Sequence, residues 1–517
     1  MSDEIIIGID AGTSVIKAVA FDRDGRQLAV AGRPNHYHSH ADGAVEQDMR
    51  RTWEDTAAVL RELSEHIGDL KQRLVAIAVT AQGDGTWLLD ADRQPVGDGL
   101  LWLDSRSSGI SRAISERDDY QRQFSLTGCG VNGCQQSSQL AWLKQHQPER
   151  LQQAQVALHC KDWLYFCMTG ELASDPSEAV FTFGNFRTRQ YEPEILERFG
   201  IADYPHLLPP IVDGVQQAHT LTAQAAAQAG LTAGTPVVLG YVDVVCSALG
   251  GGLYDGKNLQ VGCTIIGSTG MHMKLSPVEA VELNLHRTGY TMSFPLAGYV
   301  AQIQSNMAAT LNIDWVLDLA LDILDEHGLS LQRDDLLRDA DATVLATEAG
   351  SVLFHPYISA AGERGPIMEP AARASFVGLD SHHRYAHLLR AVFEGLAHAA
   401  YDCYHAMGEL PAEIRLTGGA ARSVALRTIF SALLDRPVRT LNRAEAGAAG
   451  AAMIAAVQTG LYPDLPAIAR AWVLPTLEMP EYPDAGLATL YARHTPVYRQ
   501  ARQALQPVWQ ALQQARN

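Results

Sequence analysis

Three short turns hold residue types that could meet phosphate. Asp10-Ala11-Gly12-Thr13-Ser14 puts a carboxylate at the end of an apolar run, then small residues, then two hydroxyls. Small side chains let backbone N–H groups come close to anionic oxygens, so such a turn suits phosphate. Asp10 would repel that phosphate unless a cation lies between them, which points to Mg2+ held through water. Gly267-Ser268-Thr269-Gly270 has the same make-up, and Thr264 just before it is a competing hydroxyl. Gly418-Gly419-Ala420-Ala421-Arg422-Ser423 is a third glycine turn, set where a strand gives way to a helix, and a helix start favours anions. Singly, each reads equally well as an ordinary turn. Together, at three strand ends, they form a constellation. The Walker pattern and G-x-G-x-x-G are both absent, which disfavours P-loop and Rossmann nucleotide sites.

Carboxylates supply the other half of the chemistry. Asp243 ends the apolar run Leu239-Gly240-Tyr241-Val242, where a buried carboxylate is expensive unless it faces a cleft or is paired. Two roles stay open there: a general base that takes a hydroxyl proton, or a helix N-cap. Gln82-Gly83-Asp84-Gly85 and Leu101-Trp102-Leu103-Asp104-Ser105-Arg106 are further strand-end clusters of the kind that hold neutral polyhydroxylated ligands. The plainer reading of Asp104 and Arg106 is a surface ion pair, worth little. His36, His38 and His40 read as a solvated loop, and Met271-His272-Met273 as strand interior.

The elements that must position these groups follow from the apolar runs. Ile5–Ile9 and Val15–Phe21 are strands, Asp24-Gly25 closes a hairpin, and a third strand starts at Gln27. Leu74–Thr80, Val237–Val242, Leu259–Ile266 and Ile414–Thr417 read as further strands, and Trp87–Leu89 with the turn at Asp92-Arg93-Gln94-Pro95 as one more hairpin. Polar-faced helical patterns fill Trp53–His66, Ser137–Gln145 and Val497–Ala515. Strands alternate with helices, so the class is α/β. The units around Asp10–Thr13 and Gly267–Gly270 echo each other, which hints at a duplicated domain with a cleft between the halves. Gly250-Gly251-Gly252 marks the boundary, giving domains at 1–248 and 249–456 and a helical tail at 457–517.

Composition bounds the rest. At 517 residues the chain has room for roughly two to four domains. The hydrophobic fraction of 47% and charged fraction of 19% rule out extended disorder. A net charge of -18 with no basic cluster argues against nucleic acid or an anionic membrane as partner. The acidic Met1-Ser2-Asp3-Glu4 start is unlike a secretory signal, and no run reaches the 18 or so uncharged apolar residues of a span. Seven scattered cysteines without a C-x-x-C pair fit a reduced, cytoplasmic protein and leave no zinc spacing.

These stretches resemble the FGGY carbohydrate kinases, within the superfamily of sugar kinases, actin and Hsp70-like ATPases. The resemblance covers nearly the whole chain. Residues 7–22 are similar to the family's first phosphate motif, residues 374–394 to its long C-terminal signature, Gly362-Glu363-Arg364-Gly365-Pro366 to its G-E-R-x-P segment, and Thr417–Ser423 to its adenosine turn. It implies a two-domain actin-like, ribonuclease H-like fold, mixed sheets flanked by helices, with a catalytic cleft between the domains. It implies ATP and Mg2+, with Asp243 as base and Asp10 near the metal, to which Asp243 also contributes. Thr13, Ser14, Gly267, Ser268, Thr269, Gly418, Gly419, Ala420 and Ser423 would bind ATP. Gln82, Asp84, Trp102, Asp104, Arg106 and Asp243 would bind the acceptor. Residues 81–84 lack the Arg of glycerol kinases and the Met-His pair of xylulokinases. The resemblance therefore implies a small polyol or sugar, erythritol first, with L- or D-xylulose, glycerol or a non-catalytic sugar-binding regulatory relative as the alternatives, and a homodimer.

Overall fold

A computed structural model describes residues 4–516. Most of the acidic start, Met1 to Asp3, and the last residue of the tail lie outside that range. The first sheet is built from β1 (Ile5–Ala11), β2 (Val15–Asp22), β3 (Gln27–Pro34), β4 (Leu74–Ala81), β5 (His219–Thr220) and β6 (Pro236–Leu239), in the order β5-β6-β4-β1-β2-β3. β1 runs antiparallel to β2 but parallel to β4, and β4 parallel to β6. Ile5, Ile7 and Ile9 point to one face and Ile6 to the other, and all four are buried. A strand covered on both faces reads as a continuous apolar run, which is how β1 announces itself.

The second sheet comprises β7 (Val261–Ile266), β8 (Gly270–Pro277), β9 (Tyr290–Ser293), β10 (Tyr299–Asn306), β11 (Glu413–Thr417) and β12 (Val438–Thr440), in the order β9-β10-β8-β7-β11-β12. Five strands of each sheet repeat one scheme. β3-β2-β1-β4-β6 matches β10-β8-β7-β11-β12, with the same parallel and antiparallel pairs. The echo in the sequence is thus a repeat of topology. Trp87–Leu89 does not make the expected hairpin ladder; it pairs with Val156–Leu158, and only a single bridge joins Leu89 to Pro95.

Helices Met49–His66 and Cys160–Thr169 cover the outer face of the first sheet, burying Trp53, Leu60, Leu63 and Leu164. The outer face of the second packs on Tyr385–Ala406 and Val424–Leu434. Between the sheets lie Asp243–Gly250 and Ala446–Gln458. The second of these follows β12 in the chain yet packs directly on the first sheet. A Cβ on Gly8 would sit 2.0 Å from the Ala448 carbonyl oxygen, and one on Gly450 1.9 Å from that of Cys246. Glycine and alanine are what let backbone meet backbone here, so residues beyond the glycine boundary complete the core of the first half. The tail holds a short helix, Leu465–Trp472, and ends in a long one, Ala485–Arg516, clamped to the second half by Arg499 and Arg502 on Asp402 and by buried Tyr491, Tyr498 and Trp509. Among the described residues no helix is long and apolar enough to cross a membrane.

Candidate active site

The strand ends of both sheets face a common cleft, and most of the anticipated groups stand on them. The first turn is bound from beneath by a chain of side-chain hydrogen bonds. Asn35 Nδ2 donates to the Gly12 carbonyl (2.8 Å), Gln47 Nε2 to Asn35 Oδ1 (2.7 Å), and Gln82 Nε2 to Gln47 Oε1 (2.9 Å). Thr13 Oγ1 closes the chain by donating to Gln82 Oε1 and accepting from Trp102 Nε1, both at 2.9 Å. Thr13, Gln82 and Trp102 are therefore one unit whose hydroxyl proton is already committed. Ser14 is exposed at the tip of the turn.

Asp10, one residue before the end of β1, lies against the start of the helix Ala446–Gln458: a Cβ on Gly447 would lie 2.2 Å from Asp10 Oδ2. Burial and then Glu445 push its carboxyl up to about 6, against the opposing pull of Lys17. Lys17 spends most of that charge on Glu445 itself, at 2.9 Å. Asp243 opens the helix Asp243–Gly250 as its first residue rather than as its cap, which is Val242. It is half-buried, and its Oδ1 accepts from the Val244 N–H at 2.6 Å. Burial, then the charges of Asp10 and Glu178, push its carboxyl up to about 8. Two buried acids with raised proton affinity, one of them raised in part by the other, form a site that wants a cation or a proton.

Asp84 sits beside this pair on a backbone with φ of 57°, the left-handed region. Its N–H donates to Glu178 Oε1 (2.9 Å) and its Oδ2 accepts from the Cys134 thiol (3.2 Å). Oδ1 is buried and has no partner. Burial raises the carboxyl, opposed by Cys134, His159 and Arg364. Glu178 is itself tied to a buried ammonium. Lys161 Nζ meets Asp162 (2.7 Å), Asp175 (2.7 Å) and Glu178 (2.5 Å) with no exposure on any of the four side chains. His159, Asp162 and Glu178 are close enough together to hold a metal, but Lys161 already supplies the positive charge among them. This five-residue cluster was invisible as a motif, because its members come from two separated stretches and none has a ligand-type spacing.

Asp104 and Arg106 turn onto each other. Arg106 bonds both carboxylate oxygens of Asp104, the closer at 2.6 Å, reaches Glu46 at 2.8 Å, and lies over the Trp142 ring. Asp104 also accepts from the Val45 N–H. The plainer reading of an ion pair therefore describes them, except that Asp104 is 2% exposed and the pair braces the wall behind Trp102 rather than sitting at the surface.

In the second half the hydroxyls separate cleanly. Thr264 is fully buried, bonded to His272 Nδ1 (3.1 Å) and Tyr404 Oη (2.9 Å). Ser268 and Thr269 are exposed, and their hydroxyls have no partner among the described residues. Their turn is fixed through the backbone: the N–H groups of Ala309 (2.7 Å) and Thr310 (3.0 Å) donate to the carbonyls of Ser268 and Gly267. Gly418 has φ of 91°, and a Cβ there would lie 2.5 Å from the Ile266 carbonyl oxygen, so only glycine fits. Gly419 and Ala420 follow on the cleft side, and a Cβ on Gly419 would meet nothing within 4 Å. Ser423 caps the helix Val424–Leu434 by accepting from the Leu426 N–H (3.0 Å) and donates to Asp341. Its hydroxyl is spent on the helix start, and Asp341, unnoticed in the sequence, is what holds it.

Family models describe both halves: residues 5–250 match the N-terminal domain and residues 262–459 the C-terminal domain of the FGGY family of carbohydrate kinases. The chain belongs to that family. As an FGGY carbohydrate kinase it is an enzyme that phosphorylates a sugar or polyol at the expense of ATP. It is 51% identical over 509 residues to the erythritol kinase of Brucella abortus (strain 2308), covering 98% of each chain. It is 30% identical to the L-xylulose/3-keto-L-gulonate kinase of Escherichia coli (strain K12), covering 88% of each. Its fold matches the crystal structure of a gluconate kinase from Lactobacillus acidophilus with a TM-score of 0.88 at 23% identity, over 98% of this chain and 99% of that one.

Proposed function

We propose that this kinase transfers the γ-phosphoryl group of ATP to a hydroxyl of erythritol, with Asp243 as the general base. The observation that supports this reading best is the placement of Asp243. It is a half-buried carboxylate at the cleft, with Oδ1 held by the Val244 N–H and Oδ2 uncommitted among the described residues. The 51% identity to an erythritol kinase supports the choice of acceptor.

In the forward step Asp243 accepts the hydroxyl proton as the acceptor oxygen bonds to the γ-phosphorus. The bond from that phosphorus to the bridging oxygen breaks, and ADP leaves with the electron pair. Little covalent chemistry falls to the protein in such a transfer, so positioning and charge neutralisation dominate. Ser268, Thr269 and the backbone of Gly267 take the phosphates from one side, and Ser14 with the backbone of the Thr13 turn from the other. Gly418, Gly419 and Ala420 leave room for the nucleoside, and Ser423 shapes that turn by capping the helix behind it. Gln82, Trp102 and Asp84 line the acceptor side, with Asp104 and Arg106 bracing it.

Asp10 and Asp243 fit a magnesium ion by the chemistry of their donors: hard carboxylate oxygens, close enough for the charge of Asp10 to act on Asp243. Bound there, directly or through water, a cation would neutralise phosphate charge. Asp10, held at the start of Ala446–Gln458, orients that end of the site.

The test is ADP release from MgATP with erythritol, glycerol, ribitol, L-xylulose and D-xylulose. A clear preference for erythritol supports the reading. A preference for a ketose keeps the base and replaces the acceptor. Turnover that no acceptor stimulates overturns both.

A further inference from the structure

A segment of the second half, Gly362 to Pro366, comes close enough to Asp84, the neighbour of Asp243, for the Arg364 charge to act on it. That segment is anchored at every step. Glu363 is buried, and its Oε1 accepts from the N–H groups of Met307 (3.0 Å) and Arg364 (2.9 Å). Asn306 Nδ2 donates to the Gly365 carbonyl (3.0 Å), and Thr288 Oγ1 to that of Pro366 (3.0 Å). The strand next to it is stitched to the first half: the Gly130 N–H donates to the Gly289 carbonyl (2.9 Å) and Asn132 Nδ2 to Tyr290 Oη (3.2 Å). The same first-half loop ends in Cys134, whose thiol holds Asp84.

This scaffold presents one side chain to the pocket. The guanidinium of Arg364 is half-buried and close enough to Cys134, Tyr290, Asp84 and Glu363 for their charges to act on it. Among the described residues it has no hydrogen-bond or ion-pair partner. Opposite it, Asp84 Oδ1 is buried and also without one. A group with five donors and a carboxylate oxygen with none stand on opposite walls and do not bond each other. A hydroxyl, which both donates and accepts, is the small group that satisfies the two at once.

We propose that Arg364 is a specificity-determining residue of the acceptor pocket: it donates to a polyol hydroxyl that itself donates to Asp84 Oδ1. The polyol thereby bridges the two halves through a hydroxyl other than the one Asp243 deprotonates. The distance between this bridge and Asp243 then selects chain length. The proposal rests on the polyol-kinase reading above.

Steady-state kinetics of Arg364→Met and Arg364→Lys, with thermal melting as the check on folding, test it on the acceptor the wild type uses best. Arg364→Met should raise the acceptor KM by about 10- to 100-fold, the usual worth of a hydrogen bond to a charged group, and narrow the preference among glycerol, erythritol and ribitol. The KM for ATP should move far less. Arg364→Lys, which keeps the charge without the planar fork, should recover part of the loss. Paired with Asp84→Asn, the Met variant should show less than the sum of the two losses, because both remove one bridge. An acceptor KM unchanged in folded Arg364→Met, or a loss confined to ATP, overturns the proposal. A wild type that no polyol or ketose stimulates overturns the reading beneath it, and the proposal with it.

Discussion

The turn after β1 and the turn after β7 hold the same place in two sheets of one strand order, yet they use their side chains differently. In the first, the Thr13 hydroxyl is drawn down into the network of Gln82, Gln47 and Trp102. In the second, Ser268 and Thr269 stand free and exposed while backbone bonds fix the turn. Carboxylates are distributed just as unevenly. Asp10, Asp84, Glu178 and Asp243 crowd the first wall, and the second answers with hydroxyls, glycine backbone and Arg364. Repetition supplies the scaffold, and side-chain chemistry makes its two walls differ.

The buried charges behind the first wall give the largest expected effect. Lys161 neutralises three buried carboxylates at 2.5 to 2.7 Å. Lys161→Met would strand them, and removing one partner of a buried ion pair typically costs about 3–5 kcal/mol. Denaturant unfolding should show a loss of that order. A stability near wild type would mean that the cluster does not hold the first wall together.

The two halves also differ in how they hold buried histidine, and this separates them by pH. In the second half, burial pulls His272 and His355 down to about 4 and His398 to about 3. The unfolded chain then binds more protons between about pH 6.5 and pH 4, so stability falls as pH drops through that window. In the first half burial works against the His159 charge, but Glu178 and Asp162 outweigh it and raise its pKa. Its contribution is present at low pH and is lost as pH rises through the raised value. Acid should therefore loosen the second half first. Hydrogen exchange at pH 7 and pH 5 checks this: protection should fall most around Tyr498, whose carbonyl accepts from His355 Nε2 at 3.0 Å and whose ring stacks on His398. Uniform loss over both halves would contradict it.

The smallest effect sharpens the contrast within the second wall. Ser268→Ala and Thr269→Ala should each raise the KM for ATP, the more important of the two by about tenfold. Thr264→Val should leave that KM unchanged and lower stability instead, by about 1–3 kcal/mol, because it strands buried His272 and Tyr404. A nucleotide effect from Thr264 alone would reverse the assignment.

Much of the scaffold was legible because apolar runs and small-residue turns are local signals. β1, β2 and β4 sit where their runs place them, and the echo of Asp10–Thr13 in Gly267–Gly270 is the repeat of strand order. What was not legible is long-range. Nothing local tells that Ala446–Gln458 covers the first sheet, although its density of alanine and glycine is the mark of a close approach. Lys161 and Glu178 carry no local signal, because only the fold buries them together. Arg364 stood in a quoted segment without a role, because the partner that gives it one lies across the cleft. Thr13 and Ser423 were read by residue type, and only the structure shows how their hydroxyls are already engaged.

The most direct test of the central claim, that the first wall supplies the base, compares Asp243→Asn with wild type in erythritol-stimulated ADP release. The amide keeps the shape and accepts no proton, so kcat should fall by about 10²- to 10⁴-fold while both KM values stay near wild type. A variant that retains more than about a tenth of wild-type kcat would contradict the account.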